Sequence, residues 1–198
     1  MDLNIGTKDP VNKILWDEID AKRARGGFTL ATDTVGSGST GWILKGLPLN
    51  VDYTTRVAEV VKTALIIAGG SITKTRIAKG SLFIVGDAIA NAVEGVAVEI
   101  TAINTASAEY DILTHTTNGG AFVADTVLFE AAAVAADGNA AYLFAANALL
   151  SDNTKITGSA TVTAILSAQE IIEANLPAPV SSEIKTALNA NGQYFQFV

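Results

Sequence analysis

Turn signals recur along this chain at short intervals, and they limit each element between them to a few residues. Lys79-Gly80-Ser81, Asn118-Gly119-Gly120, Asp137-Gly138-Asn139, Ser151-Asp152-Asn153 and Asn191-Gly192 are such groups. Glycine supplies a positive φ at no steric cost, and Asn or Asp bonds its own backbone, so these clusters mark turns. The segments between them are rich in Val, Ile and Thr, which favour extended chain. Val93 to Ile103 and Tyr110 to Thr116 read as strands, Phe28 to Val35 as a shorter one, and Lys155 to Leu166 is strongly β-branched. Phe122 to Ala133 reads as strand then bend, and Ala141 to Leu150 as a strand or a connecting segment. Lys79-Gly80-Ser81 is a turn ahead of Leu82-Phe83-Ile84-Val85. Val57, Val60, Val61, Ala64 and Leu65 fit a helix, but β-branched residues and the following Gly69-Gly70 favour strand over Val57 to Ile67. Many short strands with one late helix give a mainly-β fold class, a compact sandwich or barrel-like body.

The N-terminal part follows a different pattern. Residues 1–8 read as an arm. Asp9-Pro10 is a helix start, with Asp as N-cap and Pro in the first turn. Val11, Ile14, Leu15 and Ile19 follow at helical spacing, and Gly26-Gly27 ends the run. Lys22, Arg23 and Arg25 suit the C-terminal end of such a helix. The segment reads either as a solvated helix end or as a docking helix for an acidic surface. Gly36-Ser37-Gly38-Ser39-Thr40-Gly41 has linker composition. It is expected to separate an attachment segment, residues 1–41, from the β-rich body, residues 42–198.

Composition narrows the function. Of the 198 residues, 49% are hydrophobic and 17% charged, against roughly 25% charged in an average domain. A chain this apolar has difficulty covering its surface with charge, and assembly would hide the excess. A net charge of −7 argues against a nucleic-acid partner, which requires a basic footprint. No apolar stretch reaches the length of a membrane-spanning helix, so no membrane partner is expected. The chain has no cysteine, which leaves no disulfide frame and no thiol nucleophile.

Catalytic patterns are thin. His115 is the single histidine, four residues after Asp111, and no Gly-x-Ser-x-Gly elbow accompanies it. Ser182-Glu183-Ile184-Lys185 matches Ser-x-x-Lys without its companion motifs. Ser181 or Ser182 is better read as an N-cap, with Ile184, Ala187 and Leu188 on the buried face of a small helix. The carboxylates Asp87, Glu94, Glu99, Glu109, Asp111, Asp125 and Glu130 are scattered and show no calcium-loop spacing. The chain is not expected to be an enzyme, and no cofactor or metal is expected.

The C-terminal stretch, Thr154 to Val198, has a distinct order. A strand over Ala160 to Ser167 leads to a polar step at Gln169-Glu170 and a Glu173-Ala174-Asn175-Leu176-Pro177 corner. A short helix from Ser181 to about Ala190 and a final strand, Tyr194 to Val198, complete it. This order resembles the end of phage capsid decoration and head-fibre proteins of the lambda head-stabilising kind. Lys79-Gly80-Ser81-Leu82, followed by Val85-Gly86-Asp87-Ala88, is similar to the opening of such domains. Ala136-Asp137-Gly138-Asn139-Ala140 resembles one of their turns. The resemblance implies a β-tulip-like body, a homotrimer, and a seat on the outer surface of a bacteriophage capsid with the major capsid protein as partner. An N-terminal latch onto the shell is also implied. Amphipathicity and charge then nominate Ile14, Leu15, Trp16 and Ile19 as apolar anchors and Lys22, Arg23 and Arg25 as contacts to acidic capsid groups. Tyr194, Phe195 and Phe197 are expected to complete the core or a trimer seam. A receptor- or glycan-binding fibre domain, recognising a host-surface glycan, is the alternative.

Overall fold

Alternation of side chains sorts most of the strands into one sheet and one barrel. The computed structural model describes residues 14–36, 41–117, 121–135, 138–156, 160–190 and 192–198. In chain order the strands are β1 (Lys22–Arg23), β2 (Phe28–Leu30), β3 (Trp42–Ile43), β4 (Pro48–Asp52), β5 (Val57–Val60), β6 (Thr63–Ser71), β7 (Lys74–Ala78) and β8 (Ala88–Ala90). They continue with β9 (Val98–Asn104), β10 (Tyr110–His115), β11 (Val127–Ala131), β12 (Ala148–Leu150), β13 (Thr154–Lys155), β14 (Thr161–Val162) and β15 (Ala164–Ile171). A 3₁₀ turn at Glu173–Asn175, the helix α1 (Ser182–Leu188) and β16 (Tyr194–Phe197) finish the chain.

The sheet runs β1-β15-β12-β4-β5-β2-β14, with β16 also pairing with β15. The barrel closes in the order β10-β7-β6-β11-β8-β9, and closure leaves it no free strand edge. A small β13-β3 pair lies apart from both. Inside the barrel, Ile66, Ile77, Ile89, Ile100, Leu113 and Leu128 pack around Phe83. The sheet is covered on both faces. Leu150 and Ala164 join Phe28, Leu49 and Val162 on one side. Their neighbours Leu149 and Ile165 join Trp16, Ile184, Leu188 and Phe195 on the other, as a period of two requires.

The mainly-β expectation holds, and Val57–Ile67 is extended, split into β5 and the start of β6. The C-terminal order also holds. Ser181 caps α1 by accepting a hydrogen bond from the Ile184 N–H at 3.3 Å. At the Gln169-Glu170 step Glu170 takes φ +51°, and the β15–β16 register shifts there, which marks a bulge. Leu82-Phe83-Ile84-Val85 does not form a strand. It is a loop that turns Phe83 into the barrel.

Of the expected N-terminal helix, only the part from Ile14 onward falls within the described residues. Asp9, Pro10 and Val11 lie outside the described residues. From Ile14 to Arg25 the chain makes a turn at residues 18–20 and then β1. The Asp17 carboxylate accepts the Ile19 N–H at 2.9 Å, a local bond that competes with helix. β1 pairs with β15, and β2 lies between β5 and β14. Lys22–Arg23 and Phe28–Leu30 are therefore strands of the main sheet. Of the expected hinge, Ser37, Gly38, Ser39 and Thr40 lie outside the described residues, as do Asn118, Gly119, Gly120, Ala136, Asp137 and Asn191. Gly36 donates to the Leu82 carbonyl at 2.8 Å. A Cβ at Gly36 would meet the Phe83 carbonyl oxygen at 2.6 Å, so this close approach requires glycine.

Candidate functional site

The step from β5 to β6 carries the chain from the sheet into the barrel, and Lys62 sits on that step. It lies in an apolar run, Val60-Val61-Lys62-Thr63-Ala64, and is 2% exposed. β11 pairs with β6 on one side and β8 on the other. Lys62 immediately precedes β6, and Asp87 immediately precedes β8. Glu130 lies on β11 between them, and its N–H donates to the Lys62 carbonyl at 3.2 Å. Register alone thus gathers three ionisable groups.

The Lys62 Nζ donates to Asp87 Oδ2 at 2.7 Å and to Glu130 Oε1 at 2.8 Å. Asp87 Oδ2 also accepts the Ile84 N–H at 2.9 Å, which fixes its carboxylate in a tight turn. Asp87 is 8% exposed and Glu130 7%. The second Glu130 oxygen, Oε2, is buried without a donor. Burial pushes the Glu130 carboxyl up to about 7; the Lys62 ammonium opposes the shift and the Asp87 carboxylate adds to it. One positive and two potentially negative groups share a dry site, and holding a proton on Glu130 avoids an excess anion there.

The raised Glu130 carboxyl has a signed consequence for stability. Its contribution is fully present below pH 4.5, the unfolded value, and is lost as pH rises through about 7. The full shift corresponds to about 3 kcal/mol, reduced to about 2 kcal/mol by solvent screening. Between about pH 5 and pH 8 the wild type with Lys62 and Asp87 in their ionic form should lose about 2 kcal/mol relative to Glu130→Gln, read from urea midpoints across that range. Parallel pH profiles for the two proteins would contradict the assignment.

Lys62 also lines a cleft of about 170 Å³. Trp42, Leu44, Leu47, Ala78, Leu82 and Pro177 supply much of its apolar lining. Next to Lys62, the Thr63 hydroxyl donates to the Pro179 carbonyl at 2.8 Å. Lys79 on the rim is held by Asp111 at 2.8 Å and by the Thr105 carbonyl.

The seven nominated N-terminal residues separate by burial. Leu15 and Trp16 are 1% and 3% exposed, packed against Val61, Leu149 and Ile165. Gly46, at φ +91°, lies against the Leu15 side chain, and a Cβ there would collide with it. Ile14 and Ile19 are 78% and 90% exposed. Lys22, Arg23 and Arg25 face solvent. Arg23 pairs with Glu18, which also holds Lys45, and reaches Ser151 Oγ at 3.2 Å. Lys45 in turn lies over the Trp16 ring, 4.6 Å from its centroid. Two of the four apolar anchors are thus spent on the chain's own core, and two remain on the surface. Trp16→Ala should cost about 3 kcal/mol in urea unfolding, whereas Ile19→Ala should stay within about 0.5 kcal/mol. Equal effects would contradict this division.

The catalytic patterns lead elsewhere. Asp111, Leu113 and His115 all point into the barrel from β10, but four strand residues set His115 and Asp111 about 13 Å apart. Asp111 holds Lys79 and the Gly80 N–H. His115 Nδ1 lies 2.7 Å from the Thr116 carbonyl and must donate to it, so Nε2 accepts from the Thr75 hydroxyl at 2.9 Å. Burial lowers the His115 pKa and favours this neutral form. Lys185 is bound to Glu173 at 2.7 Å, and Glu183 and Lys185 belong to the ends of a short capped helix.

Comparison of the chain with protein-family models, curated proteins and solved structures gives no match. The Lys62–Asp87–Glu130 cluster therefore stands on its geometry. Sequence reasoning noted the two carboxylates as scattered and passed over Lys62. The available signal was the lone cation inside an apolar run, because such a lysine must find an anion once the run is buried.

Proposed function

We propose that this chain is a virion structural protein, binding the outer surface of a bacteriophage capsid as a trimer and decorating the head or forming a head fibre. The observation that carries the reading is the C-terminal unit. β15, the Glu173–Asn175 corner, α1 and β16 follow one another in the order that the resemblance rests on, and Phe195, Leu188 and Ile184 lock the unit into one core. The surface is consistent with assembly. Ile14, Ile19, Val85, Val123, Val134 and Val198 are each more than half exposed, in a chain with little charge to spare. Symmetric assembly would cover such groups, and three linked seats raise effective concentration without new contacts.

Within this reading Ile14 and Ile19 form the apolar part of the capsid contact, with Lys22 and Arg25 meeting acidic groups. Deleting residues 1–41 would remove β1 and β2 from the sheet, so surface substitutions give the sharper test. Sedimentation equilibrium should give three times the chain mass. The Ile14→Asp, Ile19→Asp variant should keep that mass and its circular dichroism but lose capsid binding. A monomer at all concentrations would overturn the trimer, and undiminished binding by the variant would overturn the contact assignment. A monomer that binds glycans on an array would support the fibre-domain alternative.

A further inference from the structure

We propose that Lys62 and Asp87 condense to form an intramolecular amide bond, with Glu130 as the acid–base catalyst. The proposal is independent of the capsid reading and rests on the geometry of three side chains. A nucleophile, an electrophile and a proton carrier are needed, and each is present. The Lys62 nitrogen lies 2.7 Å from one Asp87 oxygen and 2.8 Å from a Glu130 oxygen. All three side chains are nine-tenths buried or more. The Ile84 N–H bonded to Asp87 Oδ2 polarises the carboxyl group and restrains it beside the amine.

The step balances without a co-reactant. The Lys62 ammonium gives a proton to the Asp87 carboxylate, leaving a free amine and a carboxylic acid. The Nζ lone pair attacks the Asp87 carbonyl carbon while Glu130 donates its proton to the carbonyl oxygen. The tetrahedral centre collapses, the Cγ–O bond breaks and water leaves. The carboxylate of Glu130 takes back the surplus proton from nitrogen. One amide and one water replace one ammonium and one carboxylate, and Glu130 ends as it began. No oxidation state changes. Lys62 is among the residues lining the neighbouring cleft, and the released water would leave on that side.

Burial provides the driving force. In water an ammonium and a carboxylate are well solvated and resist condensation. In a dry site both ions are costly, and the neutral amide removes both. Glu130 then remains as a neutral acid beside the new amide carbonyl, which gives its proton an acceptor. Glu130 rather than Asp87 is assigned the proton-carrying role because its Oε2 has no donor and burial favours its protonated form. The bond would join the starts of β6 and β8 across β11 and close a loop through the barrel. Like a disulfide, it would constrain the unfolded chain, and this in a sequence without cysteine.

Intact-mass spectrometry of the denatured full chain tests this. The wild type should be lighter than its sequence by one water, and proteolysis should yield one branched species joining the Lys62 and Asp87 peptides. Lys62→Arg and Glu130→Gln, each folded by circular dichroism, should have the full sequence mass. Folded wild type that keeps the full mass after prolonged incubation near neutral pH would overturn the proposal. So would a water loss that persists in Lys62→Arg, since it would lie elsewhere. A link mapped to Lys62 and Glu130 would overturn the assignment of Asp87, and a folded Glu130→Gln that joins as fast as wild type would overturn the catalyst.

Discussion

Relative to the protein with Lys62 and Asp87 in their unjoined, ionic form, Lys62→Ala should lower stability by about 3–5 kcal/mol, the cost of leaving buried charge without its partner. The variant removes the one cation from a site holding Asp87 and Glu130, both under 9% exposed. Asp87 keeps only the Ile84 N–H among its described donors, and Glu130 Oε1 joins Oε2 in having none. A loss of this size is a large fraction of the roughly 5–15 kcal/mol available to a folded domain. Replacing the whole cluster distinguishes a charge effect from simple truncation. Lys62→Met with Asp87→Asn and Glu130→Gln keeps volume and an acceptor for Ile84, and should recover most of the loss. Urea unfolding of the two variants decides the matter. A Lys62→Ala variant within about 1 kcal/mol of wild type would show that the three groups are solvated.

Removing Tyr194–Val198 should prevent folding. β16 lies parallel to β15, with Ala168 opposite Phe195. Phe195 is 3% exposed and packs with Leu188 and Ile184; Phe195→Ala alone should cost about 3–5 kcal/mol. Its backbone is held on the other side by one side chain. Asn189 accepts the Phe195 N–H at 2.6 Å and donates to the Phe195 carbonyl at 3.1 Å, standing in for a further strand. The Val198 N–H reaches the Ile171 carbonyl, and the Glu173 N–H reaches the Val198 carbonyl. Truncation therefore loses a core aromatic and leaves backbone groups of β15 unpaired, each costly if still buried. Expression of the truncated chain, followed by near-ultraviolet circular dichroism, reads the outcome. A soluble, cooperatively folding protein would contradict the role given to β16.

What was legible in the sequence was local. Ser181 announces a cap because its side chain acts on a nearby N–H, and β-branched runs such as Val98 to Ile103 report their own preference for extended chain. Over residues 14–25 helical spacing is a poor guide for a related reason. Leu15 and Ile19 are spaced for a helix face, yet the Asp17 turn and the pairing of β1 with β15 prevail, and sheet pairing at a distance leaves no trace in local spacing. Barrel closure was open to the same difficulty, since it depends on β9 and β10 meeting β8 and β7 in register. The Lys62 site combines residues 25 and 68 positions apart. Only the strand order β6-β11-β8 brings them together.

Co-sedimentation of the purified protein with capsids that lack it tests the central reading most directly. Saturable binding to expanded heads, at fixed stoichiometry and in threes, with none to unexpanded shells, is the expected result. A ligand that prefers the expanded lattice stabilises it by mass action. No binding to expanded heads, by protein shown to be folded, would contradict the proposed function.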